Sequence, residues 1–151
     1  MSVLQNPWVV RLARLAIGVV FLAAAFGKIA DPTAFALQIH NYHTFPASLE
    51  NLIALTLPWI ELLAGAALVI GVKPRAGAVI AFVLMIAFTF LVGVAWGRGI
   101  NIECGCFGTL GGARIGATKF VENVVLMIVA MLAAGRVRDS KATAPVPAQP
   151  A

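Results

Sequence analysis

The chain has 151 residues, of which 61% are apolar and only 11% are charged, and its mean hydropathy is +0.95. A soluble domain carries about 25% charged residues to keep its surface hydrated, so this composition excludes an ordinary water-soluble protein. The net charge of +5 does not indicate nucleic-acid binding, because the basic residues flank apolar runs instead of clustering on one polar face.

Four apolar runs follow one another along the chain, and each approaches the roughly 20 residues that a helix needs to cross a bilayer. They predict membrane-spanning helices at about 9–30, 49–72, 76–96 and 115–134. Together they predict an all-α, integral membrane four-helix bundle over residues 1–138, followed by a disordered tail rich in Ala and Pro at 139–151. Little length remains for a soluble catalytic domain.

The first run ends at Asp31-Pro32, a pair that stops a helix. Lys28 lies near that end and is expected to snorkel toward the membrane surface. Arg11 and Arg14 at the start of the run leave a second interpretation open, in which residues 1–25 are a cleaved signal peptide. Against cleavage, the apolar run is longer than a usual signal-peptide core and continues past the candidate site.

The second run contains Glu61, which is the most informative polar residue of the predicted helices. It falls near the bilayer midplane, where a carboxylate costs about 2.5 kcal/mol or more unless it is protonated, paired or facing a polar cavity. Gly65, one turn further on the same face, would let a neighbouring helix approach closely. Glu61 is therefore either a proton or ligand site or a buried partner that fixes helix packing. Trp59, beside a kink at Pro58, is expected to pack inside the bundle.

Cys104 and Cys106 are the only two cysteines, and they lie between the third and fourth runs with one residue between them. A disulfide that closes so short a loop gains little stability and is strained, so a redox pair is favoured over a structural bridge. A metal site remains the alternative, with His40 and His43 as further ligands, although nothing in the sequence shows that the two loops meet.

The fourth run begins with a pair of opposite charges, Lys119 and Glu122. They are three residues apart, so they lie one turn apart on a helix and are expected to neutralise each other locally.

Basic residues are unevenly divided between the two sides of the predicted bundle. Seven flank the N-terminus, the connection after the second run and the C-terminus, against four on the other side. Because positive residues in short loops stay in the cytoplasm, both termini are predicted to be cytoplasmic. The loops at 31–48 and 97–114 would then face outward from a bacterial inner membrane, with the cysteine pair on the periplasmic side.

Several short motifs of the chain are similar to one known family. They are Gly27-Lys28 with Asp31-Pro32, Asn41-Tyr42 with Pro46, Pro58-Trp59-Ile60-Glu61 with Gly65, and Cys104-Gly105-Cys106-Phe107-Gly108. In this combination the chain resembles the MauE branch of the DoxX-like membrane proteins, from about residue 12 to residue 132.

The resemblance implies a methylamine utilisation protein that helps to mature the disulfide-rich β-subunit of methylamine dehydrogenase beside a periplasmic thioredoxin-like partner. It implies that Cys104 and Cys106 are the redox pair and that Glu61 is the buried acid of the family. DoxX relatives would add a quinone, although the sequence carries no signature for quinone, flavin or haem. A non-enzymatic scaffold for a periplasmic client and an external metal-binding protein remain the rival interpretations, and no nucleic-acid partner is expected.

Overall fold

A computed structural model of the chain describes residues 6–99 and 116–135, and these residues form five α-helices with no β-strand among them. The helices are α1 (Pro7–Ala30), α2 (Pro32–Asn41), α3 (Ala47–Ile70), α4 (Pro74–Gly97) and α5 (Ala117–Ala133). The all-α prediction is confirmed for this part of the chain. The four predicted runs correspond to α1, α3, α4 and α5, with ends that differ by at most two residues. The predicted tail lies outside the described residues.

Three of these helices are long and apolar enough to cross a membrane, namely Pro7–Ala30, Ser48–Ile70 and Pro74–Gly97. α5 is shorter, with 17 residues. All three long helices keep large apolar side chains on their outer surface, such as Val19, Leu63 and Phe90. In water these side chains would form large exposed apolar patches, whereas in lipid they face a matching solvent.

Helix α2 is not among the helices predicted from the sequence. Asp31 ends α1, but its side chain also caps α2, because one carboxylate oxygen accepts a hydrogen bond of 2.9 Å from the backbone N–H of Ala34. Pro32 occupies the first turn of α2, where its missing N–H is not needed. The Asp-Pro pair therefore stops one helix and starts the next, and α2 packs Phe35 and Ile39 against Ala54 of α3.

Helices α1, α3, α4 and α5 pack as a closed ring, because α1 and α4 each contact both α3 and α5. The core between them contains many small side chains, which let the helix backbones approach closely. Its buried members are Ala13, Ile17, Phe21, Ala64, Leu68, Ala78, Ala81, Met85, Ala130 and Ala133.

Helices α1 and α3 approach each other closely at two glycines. A Cβ atom added to Gly65 would lie 2.9 Å from the backbone oxygen of Gly18, and one added to Gly18 would lie 2.8 Å from Val69. Both distances are shorter than real Cβ contacts, so each glycine is required for this packing. The prediction that Gly65 permits close approach of a neighbouring helix is confirmed.

Trp59 does not pack inside the bundle, so that prediction is wrong. Its side chain is 56% exposed, and it lies on the same outer stripe of α3 as Leu55 and Leu63. Pro58 is the buried neighbour, and it shares the inner face with Glu61. Successive helical residues point about 100° apart, so adjacency to a buried proline does not imply burial.

The bundle has one end that carries α2, called here the α2 end, and an opposite end. At the α2 end, the ring of Trp96 in the last turn of α4 lies 5.9 Å from that of Phe120 in the first turn of α5. At the opposite end, the Arg14 side chain donates hydrogen bonds to the backbone oxygens of Ala133 and Gly135. Helix α5 therefore runs antiparallel to both α1 and α4.

Candidate functional site

The centre of the bundle holds a buried ion pair between α1 and α3. The Nζ atom of Lys28 donates to both carboxylate oxygens of Glu61, at 2.6 and 2.7 Å. The two side chains are 0% and 2% exposed. Opposite charges taken out of water are tolerated only when they neutralise each other with good hydrogen-bond geometry, and this pair meets that requirement.

The direction of the helices explains how these two residues meet. Gly18 of α1 packs at the level of Gly65 of α3, while Lys28 meets Glu61, so residue numbers rise along one helix as they fall along the other. Side chains on a helix tilt toward its N-terminus. In antiparallel helices the side chains of Lys28 and Glu61 therefore lean toward each other, and Lys28 points into the bundle.

The expected snorkelling of Lys28 is consequently wrong, and the need of Glu61 for a partner is confirmed. A signal in the sequence could have identified the pair. Apart from Arg11, Arg14 and Glu50 near the starts of their runs, the predicted helices contain four charges. Two of them, Lys119 and Glu122, are predicted to pair locally, and the structure confirms this at 2.7 Å. The two charges that remain are one lysine and one glutamate, and both must be neutralised in an apolar environment.

Two aromatic rings enclose the ammonium group of Lys28. The centroids of the Phe35 ring, from α2, and of the Phe88 ring, from α4, each lie 5.3 Å from Nζ. At this distance a cation is attracted to the negative face of an aromatic ring. The pair is thus held by α1, α2, α3 and α4 together, which links the short helix α2 to the centre of the bundle.

A small cavity of about 20 Å³ lies against Glu61. Its lining comes from α1, α3, α4 and α5 and includes the buried amide of Asn123. A cavity needs at least about 10–15 Å³ to hold one water molecule, so this one has room for a single water. Each carboxylate oxygen has two lone pairs, so Glu61 can accept a hydrogen bond from such a water while it pairs with Lys28.

A second polar group lies at the α2 end. His40, in the last turn of α2, has its Nδ1 atom 3.0 Å from a carboxylate oxygen of Glu50 in α3. The His40 and His43 rings are 5.7 Å apart in an edge arrangement. In the described ranges, 6–99 and 116–135, no three His, Cys, Asp or Glu side chains are grouped to hold a metal ion. In the described part of the chain, His40 is a partner of Glu50.

Cys104 and Cys106 lie outside the described residues. The residues that flank their segment are described, and both belong to the α2 end, since Gly99 follows α4 and Gly116 precedes α5. Among the three predicted site residues, the structure therefore describes Glu61 alone. The partners it adds, Lys28, Phe35 and Phe88, come from three different helices, α1, α2 and α4.

Comparison with known proteins identifies one family. A family model described as methylamine utilisation protein MauE matches residues 6–136. A methylamine utilization protein MauE from Methylophilus methylotrophus is 34% identical over 106 residues, which cover 70% of this chain and 56% of that relative. Its counterpart from Paracoccus denitrificans is 31% identical, with 69% and 56% covered. A third, from Methylorubrum extorquens, is 32% identical, with 71% and 58% covered. The matches thus span little more than half the length of these relatives. No solved structure matches the chain.

Proposed function

The chain belongs to the MauE family, and on that premise we propose that it serves methylamine utilisation as a membrane protein that supports thiol–disulfide chemistry on a periplasmic client. Cys104 and Cys106 are the reacting pair in this proposal, and the β-subunit of methylamine dehydrogenase is the client. The observation that carries the proposal is that α4 and α5 bring both flanks of the cysteine segment to the α2 end of the bundle.

The proposed topology has four crossings, formed by α1, α3, α4 and α5. Helix α5 has 17 residues, about 26 Å at 1.5 Å per residue, which is slightly less than the roughly 30 Å of a hydrocarbon core. Its first turn nevertheless contacts the end of α4, and its last carbonyl groups bind Arg14 near the start of α1. These contacts support a fourth crossing. With the basic residues of the opposite end in the cytoplasm, the α2 end faces the periplasm.

The reaction is thiol–disulfide exchange. In the oxidising direction, a client thiolate attacks the Cys104–Cys106 disulfide, and a second client thiol then completes the exchange. The client loses two electrons and two protons and forms a disulfide, while Cys104 and Cys106 become thiols. In the reverse direction the client is reduced. The chain contains only one dithiol, so a thioredoxin-like partner or a lipid-soluble quinone must exchange the electrons with it.

Glu61 and Lys28 support this chemistry from within the bundle. Their pair holds α1 against α3, and the rings of Phe35 and Phe88 extend that support to α2 and α4. The cavity beside Glu61 gives the carboxylate access to one water, which suits a group that accepts and returns a proton. In this proposal Glu61 accepts and releases a proton, and the ammonium group of Lys28 stabilises the negative charge of its carboxylate.

The decisive experiment changes Cys104 and Cys106 to serine, singly and together, and measures the thiol state of the client by alkylation and gel shift. With exchange in the oxidising direction, most of the client should lose its oxidised form in all three variants. Thr109→Ser, in the same segment, is the matched control and should leave the client oxidised. Unchanged client disulfides in cells that insert normal amounts of the double variant would contradict the redox proposal.

The orientation can be measured on the unmodified protein, because these are its only two cysteines. After mild reduction of intact spheroplasts, a membrane-impermeant maleimide should label the chain. Labelling that begins only after the membrane is opened would place the cysteine segment in the cytoplasm and contradict the proposed topology.

A scaffold function is the second candidate, and the tight contact between Gly18 and Gly65 is the observation behind it, since helices packed this closely form a rigid docking platform. A scaffold would retain the client and its disulfides in the double cysteine variant. Co-purification of the client with that variant, compared with its thiol state, distinguishes the two functions.

A further inference from the structure

A half-open groove lies between α2, α3 and α4, separate from the small cavity at Glu61. Its volume is about 190 Å³, and its surface is almost entirely apolar. Four aromatic side chains contribute to its walls, from α2, the turn after it and α4: Phe35, Tyr42, Phe45 and Phe88. This space, called here the α2 groove, lies in the half of the bundle nearest the α2 end.

The groove contains one polar group that the fold does not satisfy. The Oε1 atom of Gln38, which lines the groove, is buried and has no hydrogen-bond partner among the described residues. A buried acceptor without a partner destabilises the fold, so this atom requires an explanation, and a bound molecule that donates to it is one. A ligand that donates a hydrogen bond would remove this cost.

The size and walls of the groove restrict the ligand. An apolar cavity of about 150 Å³ accommodates benzene, so a groove of about 190 Å³ fits one six-membered ring with small substituents. Aromatic walls favour an aromatic ligand because offset or edge contacts between rings are attractive. An acyl chain would fill the same volume but would leave Gln38 without a partner.

We propose that the α2 groove binds the head of a lipid-soluble phenol or hydroquinone, with a ring hydroxyl that donates to Gln38 Oε1. The ligand reaches the groove through the membrane, since α3 and α4, which form two of its walls, are apolar enough to cross a bilayer. Two of its wall residues, Phe35 and Phe88, are also the rings beside the ammonium group of Lys28. A single layer of aromatic rings therefore separates the groove from the buried ion pair. Its existence does not depend on Cys104 or Cys106.

The test uses two probes that differ only in their hydroxyl groups. Tetramethylhydroquinone carries two hydroxyls on a methylated ring, whereas tetramethylbenzene has the same ring and methyl groups without oxygen. Binding to the full chain in phosphatidylcholine nanodiscs is measured by saturation-transfer NMR under argon, with empty nanodiscs as the reference. The unmodified protein should bind both rings saturably and prefer the hydroquinone roughly 3- to 10-fold, the value of one neutral hydrogen bond.

Three variants locate the site. Gln38→Leu replaces the amide by an apolar side chain of similar volume and should abolish the preference for the hydroquinone. Ala87→Phe fills the groove and should weaken binding of both probes about ten-fold or more, a loss of roughly 1.4 kcal/mol. Val83→Phe is the matched control, because Val83 lies one turn earlier on α4, is 56% exposed and does not line the groove. It should bind like the unmodified chain.

Several results would overturn the proposal. They are the absence of saturable binding beyond empty nanodiscs, equal affinity of the unmodified chain for the two probes, and an unchanged preference in Gln38→Leu. If Ala87→Phe fails to fold, the proposal is tested by Gln38→Leu alone, through its preference for the hydroquinone relative to that of the unmodified chain. The double cysteine variant should bind normally, so loss of thiol chemistry and loss of the ligand site are separate outcomes.

Discussion

The bundle contains two Lys–Glu pairs of the same chemistry in very different surroundings. Lys119 and Glu122 are three residues apart on α5, and their side chains are 15% and 41% exposed. Lys28 and Glu61 are 33 residues apart, on different helices, and are 0% and 2% exposed. The first pair can form whenever α5 is helical, whereas the second exists only after α1 and α3 have packed. The energetic consequences of breaking them should differ accordingly.

Removal of one charge from the buried pair is the strongest way to test this difference. Glu61→Gln keeps the shape of the side chain but leaves the ammonium group of Lys28 buried without a counter-charge, and we expect a loss of about 3–5 kcal/mol in the free energy of unfolding. Denaturation in mixed micelles, followed by helix content, measures this loss. A decrease below 1 kcal/mol would show that the ammonium group finds another environment.

Removal of both charges should recover much of that loss. In the double variant Lys28→Met with Glu61→Leu, apolar side chains replace the pair and no charge is left buried. The double variant should therefore be more stable than either single variant. A double-mutant cycle should give a coupling free energy of about 2 kcal/mol or more between the two residues. Additive losses would mean that the two residues act independently, contrary to their 2.6 Å contact.

The close packing that brings α1 and α3 together provides a test of intermediate size. Gly65→Ala would place a Cβ atom 2.9 Å from the oxygen of Gly18, so the helices must separate, at a cost of about 1–3 kcal/mol. Gly97→Ala is the matched control, since no atom lies within 4 Å of its added Cβ. Equal stability of the two alanine variants, in the same micelle assay, would contradict the tight contact.

The local pair should give the smallest effect. Lys119→Gln or Glu122→Gln leaves a partly exposed partner on one helix, and we expect a change below about 1 kcal/mol that decreases further at high salt. The same denaturation assay at low and high salt measures both effects. A loss as large as that of Glu61→Gln would mean that this pair is as deeply buried in the membrane as the other.

The comparison also explains which parts of the architecture could be predicted. The local Lys119–Glu122 pair followed from spacing alone, because an interval of three residues defines a contact on any helix. The Lys28–Glu61 pair could not be predicted from spacing, although the sequence indicated that Glu61 needs a partner. Lys28 was assigned to the membrane surface because it lies near the end of α1, and only the direction of its side chain toward α3 reverses that assignment.

Helix α2 was missed for a related reason. Asp31-Pro32 was interpreted only as a stop, although the same pair provides a cap and a first turn for the following helix. The ten residues of α2 are too few and too polar to produce the long apolar signal that identified the other helices. Its buried face consists of Phe35 and Ile39, and two such residues in a loop do not define a helix until α3 packs against them.

The sequence by itself determined that the described part of the chain is all-helical, where its long helices begin and end to within two residues, and that Glu61 requires a partner. These properties depend on hydrophobic runs and on local spacing, which each segment carries independently of the others. Only the tertiary structure decided that Lys28 is the partner of Glu61, that Phe35 and Phe88 enclose this pair, and that a groove with a free amide oxygen at Gln38 opens beside it. Those features join residues of different helices, so they depend on helix direction and register, which no single segment specifies.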